Sequence, residues 1–282
     1  MARSNWNPCR SNLPSAKPRL PVTTMNDLGD FPTGRYERKY LVSDSQAVAI
    51  RNELAPYLAI DAHTPPESIR GYQVLSLYLD TPSLDLYRQS RQGMKDRVKL
   101  RIRYYDHDPD TVAYVEVKQK LQGLTYKRRF ATSKTVVESL LRNPQCEELR
   151  HALGNGAKGT ALEEFSERRQ AIGADPKLFV AYEREAYNSL GEPRVRVTFD
   201  RRITTNPAMR SAGLNAPRFG SNIGGLNVLV EFKYAGTRPD WLRDAIKKFK
   251  LRRTSFSKFV EGLDALGISG QAPRPSKASK AG

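Results

Sequence analysis

The sequence predicts an α+β fold in which helices pack outside an eight-stranded antiparallel β-barrel. Eight stretches alternate apolar and polar residues, which is the pattern of a strand with two different faces. Most of these stretches follow one another too closely to leave room for the crossover helices of a parallel sheet, so the strands should pair antiparallel. Eight antiparallel strands can close into a barrel whose interior is lined by every second residue.

The eight predicted strands occupy much of the middle of the chain. In chain order they span residues 35–42, 73–80, 97–106, 111–120, 125–131, 178–187, 194–201 and 227–234. We expect their apolar positions to face the helices and their polar positions to face the barrel interior.

Helices are predicted between the strands. Pro56 ends the first of them, and residues 134–142 carry apolar side chains at helical spacing. The helix starts are marked by capping residues or by a proline at the first helical position: Ser43 with Gln46, Thr160 with Glu163, Pro239, and a last start near Ser257.

Composition divides the chain into three parts. Residues 1–30 contain Arg, Ser, Asn and Pro with little periodicity, which is typical of a disordered arm, and 31–267 form the folded unit. Residues 268–282 have the composition of a flexible basic tail. No apolar run approaches the ~20 residues of a membrane helix, and the start lacks the apolar centre of a secretory signal. We therefore expect a cytoplasmic protein.

The net charge of +17 indicates an anionic partner. The chain has 47 Lys and Arg against 30 Asp and Glu. Two cysteines cannot build a disulfide scaffold or a thiolate zinc site, and three scattered histidines make a histidine metal centre a poor explanation. Excess positive charge is what remains, and it favours a polyanion as ligand.

Cations share one face of several predicted strands. Residues 97–103 alternate cationic and apolar side chains, with Arg101 and Arg103 among the cations. Such a face is either the solvated side of an antiparallel sheet or the lining of a barrel. Like charges on neighbouring strands repel each other unless an anion neutralises them, which favours a lumen that binds a long, flexible polyanion.

Single carboxylates stand among these cations, at Glu37, Glu116 and Glu231. They are either ion-pair partners that orient their neighbours or ligands of Mg²⁺ or Mn²⁺, which take carboxylate oxygens together with substrate phosphate oxygens. The spacing leaves both interpretations open. The glycine-rich GNGAKG (154–159) follows a helical stretch rather than a strand, so we interpret it as a loop and not as a dinucleotide site.

Nine short segments in fixed order resemble the VTC domain, the polyphosphate polymerase domain of the triphosphate tunnel metalloenzyme (CYTH-like) superfamily. The resemblance covers about 33–266 and rests on RYERKYLV (35–42), SLYLDTPSLDLY (76–87), KLRIRYY (99–105), VEVKQK (115–120), TYKRRF (125–130), VAYEREAY (180–187), RVRVTFD (194–200), VLVEFKY (228–234) and FSKFVEGL (256–263). It implies an eight-stranded antiparallel tunnel that binds ATP and inorganic polyphosphate. It also implies transfer of the γ-phosphoryl group onto a growing chain, assisted by Mn²⁺ or Mg²⁺.

Matched position by position, the resemblance implies roles for individual residues. The catalytic set is Lys39, Arg101, Arg103, Lys118 and Arg196. The substrate-binding set is Arg91, Arg184 and Lys258, to which we add Lys127 and Arg129 because they share a strand face. The metal ligand is Glu231, with Glu37 and Glu116 as further candidates.

Two positions depart from the family pattern. The wider superfamily opens with E-x-E-x-K, whereas this chain reads Arg35, Glu37, Lys39, which weighs against a two-metal triphosphatase. The polymerases carry a lysine three residues before Lys258, where this chain has Ser255. We expect the nearby residues 252–253, both arginines, to substitute for it.

Three functions remain open: a polyphosphate polymerase, a tunnel triphosphatase, and a non-catalytic module that binds polyphosphate or nucleic acid. The sequence of the predicted strands does not indicate aromatic residues placed between the basic ones, as a base-stacking surface would need, so we expect no specific nucleic-acid partner. The SPX domain and the membrane helices of the fungal relatives have no counterpart in this sequence. We therefore expect a stand-alone soluble catalyst, or one with a separate membrane partner.

Overall fold

The computed structural model describes residues 35–270 apart from positions 63, 66–67, 69–70, 123, 144–145, 155–159 and 269. The expected arm at 1–30, nearly all of the expected tail at 268–282 and most of the loop at 154–159 lie outside the described residues. In the part of the chain that is described, no helix combines the length and the apolar character needed to cross a membrane.

Eleven strands form one antiparallel sheet. They are β1 (Arg35–Ser43), β2 (Leu58–Ile60), β3 (Tyr72–Asp80), β4 (Arg97–Tyr104), β5 (Val112–Leu121), β6 (Leu124–Ser133), β7 (Asp175–Ser189), β8 (Val195–Pro207), β9 (Ser221–Asn222), β10 (Asn227–Ala235) and β11 (Arg253–Thr254). Each of the eight predicted strands corresponds to one of the eight long strands. The additional strands β2, β9 and β11 have only two or three residues each.

The closed eight-stranded barrel is not confirmed. The strand order is β11-β1-β10-β8-β7-β3-β4-β5-β6, with β2 beside β7 and β9 beside β8, and the described residues form no ladder between the two ends. β11 pairs with β1 at Lys39 and Tyr40. The outer edge of β1, which would have to pair with β6 in a closed barrel, is therefore partly occupied by another segment of the chain.

The sheet nevertheless curls strongly. Glu37 of β1 lies 3.4 Å from Lys118 of β5, although five strands lie between β1 and β5 in the sheet. Right-handed strand twist and coiling produce such curvature in large sheets. The charged residues thus line a concave face.

Seven α-helices of the described chain flank the sheet: α1 (Asp44–Leu54), α2 (Asp85–Gln92), α3 (Lys134–Arg142), α4 (Glu147–Ala152), α5 (Ala161–Ala171), α6 (Asp240–Lys248) and α7 (Lys258–Ala265). The predictions for α1, α3, α5, α6 and α7 are confirmed. Ser43, Thr160 and Ser257 accept the backbone hydrogen bonds of N-caps. Pro239 is the N-cap of α6, one residue before the first helical position that we predicted for it. The helices α2 and α4 were not predicted.

The apolar face of the sheet packs against helices in two clusters. Tyr40, Val230 and Phe232 lie buried with side chains of α1 and α6 such as Ile50 and Leu242. A larger cluster joins β3, β4, β5 and β7 to α2, α3 and α5, and it also includes apolar side chains of α7, which packs on the other side of β3 and β7. Because side chains alternate along each strand, the charged residues point to the opposite, concave side.

Helix α7 lies against the charged side of β3 and β7. Its Phe259 ring stacks on Tyr78 of β3, with ring centroids 5.1 Å apart. Gly262 permits this close approach, because a Cβ atom there would stand 2.7 Å from Leu178 Cδ1. The N-terminus of α7 is thereby held beside the cations of the concave face.

Candidate functional site

Among the described residues, eleven cationic side chains line the central part of the concave face or contact it, and we call this region the cationic cleft. The register of the strands and the contacts below identify them as Lys39, Lys99, Arg101, Arg103, Lys118, Lys127, Arg129, Arg184, Arg196, Lys233 and Lys258. The cleft brings together nine of the ten predicted catalytic and substrate-binding residues, the exception being Arg91. The roles assigned to all ten stay predictions.

One carboxylate, Glu116 of β5, is surrounded by cations. Arg101 donates to it through two nitrogens, one of them Nε at 2.7 Å, and Lys127 and Arg129 of β6 lie 3.3 and 3.5 Å away. Burial opposes ionisation of Glu116, but Arg101 and Lys127 outweigh it and hold its pKa well below the usual range. Glu116 therefore serves to orient the arginines, and the expectation that it binds a metal is not supported by its surroundings.

A second carboxylate, Asp200 of β8, joins two strands to α7. Arg184 of β7 donates two hydrogen bonds to it, at 2.7 and 2.8 Å, and Lys258 Nζ lies 2.5 Å from it. Burial opposes ionisation of Asp200, but Arg184 and Lys258 outweigh it and lower its pKa. This fixed carboxylate positions two of the predicted substrate-binding residues. Asp200 was not among the predicted site residues.

A third group surrounds Glu37 and Glu231 on the paired strands β1 and β10. Lys39 Nζ lies 3.1 Å from Glu37 and 3.6 Å from Glu231, and Lys233 lies 3.4 Å from Glu231. Burial opposes ionisation of Glu37, but Lys39 and Lys118 hold its pKa well below the usual range. The same two carboxylates outweigh burial at Lys39 and raise its pKa. Glu37 is thus ionised at neutral pH.

A divalent metal fits only part of the predicted ligand set. The described residues contain no group of three or more His, Cys, Asp or Glu side chains that could hold a metal by themselves. Glu37 and Glu231 converge on a single ammonium group, and Mg²⁺ commonly binds through one or two carboxylates plus the phosphates of its substrate. These two residues fit such an ion, whereas Glu116 stands in the separate arginine cluster.

Arg103 is a buried cation of a different kind. Only 7% of its surface is exposed, and its described contact is a hydrogen bond of 3.1 Å to the Tyr182 hydroxyl. Its Nε atom is buried without an acceptor, and among the described residues no carboxylate forms an ion pair with it. Glu116 attracts Arg103 from beyond ion-pair distance, but a buried guanidinium with an unused donor costs free energy, so the arrangement favours an external anion at this position.

Arg196 is the cation that β8 contributes to the cleft. It forms an ion pair of 2.7 Å with Asp61, which is itself almost fully buried. Asn188 also donates to Asp61, at 3.3 Å. The loop after β2 therefore positions Arg196, a link that the spacing of residues in the sequence did not indicate.

Tyrosines are interleaved with the cations of the cleft, which the sequence did not reveal, whereas the expectation of no specific nucleic-acid partner stays a prediction. Tyr78, Tyr114 and Tyr182 lie under cationic groups, with Arg129 Cζ 3.6 Å from the centre of the Tyr114 ring and Lys258 Nζ 4.4 Å from that of Tyr182. Tyr78 and Tyr182 are buried. Their rings support and orient cations through cation–π contacts rather than forming an exposed platform for bases.

Two lysines of the cleft were not among the predicted site residues. Burial lowers the pKa of Lys233 to about 8, against the attraction of Glu231. Burial also lowers the pKa of Lys99, and the neighbouring cations Lys39 and Lys118 lower it further. Their alternation with apolar residues was visible in the sequence, but the charges around them depend on the tertiary structure.

Three predicted contributors lie outside these clusters. Arg91 is on α2, where it pairs with Asp264 of α7 and donates to the Tyr87 hydroxyl at 3.0 Å. Arg253 pairs in β11 with Tyr40, whose side chain belongs to the outer apolar core, and both Arg252 and Arg253 are exposed. The expectation that they replace the lysine missing at 255 is therefore not supported. The side chain of Arg35 lies outside the described residues.

Comparisons with known proteins agree with the resemblance. The family model described as the VTC domain matches residues 34–267. Subunit 4 of the vacuolar transporter chaperone complex of Schizosaccharomyces pombe is 22% identical over 270 residues, which cover 82% of this chain and 37% of that protein. The chain thus spans a little over a third of the length of this relative.

Two solved structures are similar to a smaller degree. A candidate adenylate cyclase from Bacillus halodurans has a TM-score of 0.43 and 16% identity, covering 79% of this chain and 95% of that one. A candidate adenylyl cyclase from Hippeastrum, with a dominant triphosphatase activity, has a TM-score of 0.39 and 14% identity, covering 85% and 96%.

Proposed function

Since this chain belongs to the VTC domain family, we propose that it transfers the γ-phosphoryl group of ATP onto a growing inorganic polyphosphate chain bound in the cationic cleft. A cytoplasmic location and a separate membrane partner are part of the same proposal.

The observation that carries this proposal is Arg103. It is buried, has no carboxylate within ion-pair distance among the described residues, and stands beside Arg101 on the same face of β4. An array of cations that exceeds its carboxylates is destabilised by repulsion, and a bound anion relieves that repulsion. A phosphate chain supplies such charge along its whole length, and arginine matches phosphate oxygens through bidentate hydrogen bonds.

The proposed reaction explains why the cleft needs no histidine or cysteine. A terminal phosphate oxygen of the bound chain attacks the γ-phosphorus of ATP, and the bond to the β-phosphate oxygen breaks so that ADP leaves. Phosphoryl transfer depends on positioning and on charge stabilisation more than on covalent catalysis. The attacking phosphate is already an oxyanion, so no side chain has to remove a proton from it.

In this proposal Arg101, Arg103 and Lys39 neutralise the oxygens of the transferred group, and Arg184, Arg196 and Lys258 align the chain. Glu116 and Asp200 hold several of these cations in fixed positions before substrate arrives, so little reorganisation accompanies the reaction. Glu37 and Glu231 would hold Mn²⁺ or Mg²⁺, which supplies further neutralisation of phosphate charge when bound.

Incubation of the purified protein with ATP and Mn²⁺ or Mg²⁺ tests the proposal. We expect ADP to form together with acid-labile phosphate chains. Release of inorganic phosphate alone would make the protein a triphosphatase, and tight retention of added polyphosphate without turnover would make it a binding module. Either result would overturn the proposed reaction.

A further inference from the structure

Three lysines face one another across the strands of the cleft. Lys99 of β4 lies directly opposite Lys118 of β5, and Lys118 lies directly opposite Lys127 of β6. Like charges at directly opposed positions destabilise a sheet. Two of the three are compensated, since Lys118 lies 3.4 Å from Glu37 and Lys127 lies 3.3 Å from Glu116.

Lys99 is the member of this row without a counter-ion in the part of the chain that the structure describes. Its ammonium donates to the Ser257 hydroxyl at 3.0 Å and lies 5.7 Å from the centre of the Phe259 ring. Both contacts come from the start of α7, the segment that also presents Lys258 to the cleft. Lys99 is thus a partly buried cation held in place by neutral groups.

The charged groups that act most strongly on Lys99 are all cations. Lys39 faces it from β1, Lys118 from β5, and Arg97 and Arg101 flank it on β4. Alternate residues of a strand are ~6.7 Å apart, so Arg103, Arg101, Lys99 and Arg97 form a continuous track along β4. In the row that contains Arg101, the carboxylate of Glu116 pairs with Arg101 itself. In the row that contains Lys99, carboxylates pair with Lys118 and with Lys127 but not with Lys99 among the described residues.

We propose that Lys99 binds a phosphate group of the polyphosphate chain beyond the phosphates held by Arg101 and Arg103, and that the binding site thereby extends along β4 toward Arg97. This inference rests on the proposed function. It adds a residue that sets the preference of the cleft for longer chains over triphosphate.

The test measures binding rather than turnover, by calorimetry with tripolyphosphate and with a chain of about ten phosphates. We expect Lys99→Met to weaken binding of the long chain about tenfold, since a charge-assisted contact is lost, and to change binding of tripolyphosphate less than twofold. Lys99→Arg keeps the charge and should retain most of the affinity. Lys95→Met removes the same charge from an exposed turn before β4 and serves as the matched control.

Thermal unfolding in the absence of any anion shows whether the variants fold. Because no described carboxylate pairs with Lys99, Lys99→Met should have a melting temperature equal to or above that of the wild type, and the long chain should raise it less than in the wild type. Equal long-chain affinities of Lys99→Met and the wild type would overturn the inference, as would an equal loss for both ligands.

The same measurements separate this inference from the proposed function. A wild-type protein that binds the long chain through Lys99 but forms no polyphosphate from ATP would overturn the polymerase reaction and leave the role of Lys99 intact. A wild-type protein that binds no polyphosphate would overturn both.

Discussion

Arg184 and Asp200 lie directly opposite each other on β7 and β8 and are joined by two hydrogen bonds, of 2.7 and 2.8 Å. Lys258 reaches the same carboxylate from the first residue of α7. One buried aspartate therefore fixes two cations of the cleft and connects the helix to the sheet. Its removal should affect stability as well as binding.

We predict that Asp200→Asn lowers the free energy of unfolding at pH 7 by about 3 kcal/mol, because two buried cations lose their counter-ion. The pKa of Asp200 is lowered in the folded protein, so its contribution to stability is present above its unfolded pKa of ~3.9 and disappears as the pH falls through the folded value. The variant should therefore show a weaker loss of stability below about pH 4 than the wild type. Denaturant unfolding between pH 2 and pH 7 measures this, with the exposed Asp240→Asn as control. Identical curves for wild type and Asp200→Asn would contradict the prediction.

Glu231→Gln should lower kcat at least about 100-fold while polyphosphate binding measured without metal persists. The carboxylate contacts Lys39 and Lys233 but no other cation that the structure describes, so its neutralisation leaves the arginine clusters intact. Coupled detection of ADP gives the rate, and calorimetry gives the affinity. Glu167→Gln, on the exposed surface of α5, is the control. Normal turnover in Glu231→Gln would remove this carboxylate from the reaction.

Arg101→Ala should lower kcat/KM about 100-fold, because a preorganised cation next to the transferred group is lost. Glu116 would keep Lys127 and Arg129 as partners, so the fold should persist. Arg128→Ala is the matched control: Arg128 pairs with Glu164 of α5, so it lies on the helix-facing side of β6. Steady-state kinetics at saturating metal measures the effect. If both variants behave like the wild type, the reaction takes place away from the cleft.

The affinity for polyphosphate should begin to fall at a lower pH than it would if every lysine of the cleft had the pKa of an exposed lysine. Burial and the cations Lys39 and Lys118 lower the pKa of Lys99, so its ammonium loses its proton at a lower pH than an exposed lysine. Lys99→Arg keeps its charge throughout and should show a flatter profile between about pH 7 and pH 10. Binding titrations across this range decide the matter, and superimposable profiles would refute it.

Arg91→Met should reduce stability more than activity. Arg91 pairs with Asp264, which is almost fully buried and also accepts from the Tyr87 hydroxyl. Loss of the cation leaves a buried carboxylate with fewer partners, at a cost of about 1–3 kcal/mol. We expect a lower melting temperature with kcat/KM within threefold of the wild type. A raised KM at unchanged melting temperature would restore the substrate-binding role that the sequence predicted.

The eight long strands could be predicted from the sequence because the alternation of side chains along a strand is a local property. Closure of the sheet is not local. It depends on which segment reaches the free edge of β1, and the two-residue strand β11 that does so has no recognisable pattern. The prediction of a closed barrel was therefore wrong although every long strand was confirmed.

The two missed helices begin with unusual caps. The amide of Asp85, the first residue of α2, donates to the Thr81 hydroxyl at 3.0 Å, and the next two amides donate to Asp80, at the end of the preceding strand, at 2.9 and 2.8 Å. Leu84, directly before α2, adopts a left-handed conformation with φ 61°. The cap of α4 is the sulfur of Cys146, which accepts from Leu149 N at 3.4 Å. A search for Ser, Thr, Asp or Asn directly before an apolar periodic stretch detects neither start.

The residues of the site could be predicted from the sequence, but the pairing of each cation with a carboxylate could not. Alternation placed Arg101 and Arg103 on one face of their strand, the family resemblance added Lys39 and Arg184, and the structure brings these residues together. Lys99 carries the same alternation signal, yet its lack of a counter-ion follows from the positions of Glu37 and Glu116 on other strands. Likewise, nothing near Arg196 in sequence indicates that its partner is Asp61.

In the described part of the chain, the two ends of the sheet form no ladder with each other, which bears on how the product of the proposed reaction would leave the cleft. Among the described residues, β1 and β5 are connected by the side chains of Glu37 and Lys118, both partly exposed, and not by a backbone ladder. An ion pair of this kind contributes no more than about 1 kcal/mol, far less than a row of strand hydrogen bonds. At this point little free energy opposes sideways separation of the two walls, so the polyphosphate chain of the proposed reaction would have a lateral exit from the cleft in addition to its two ends.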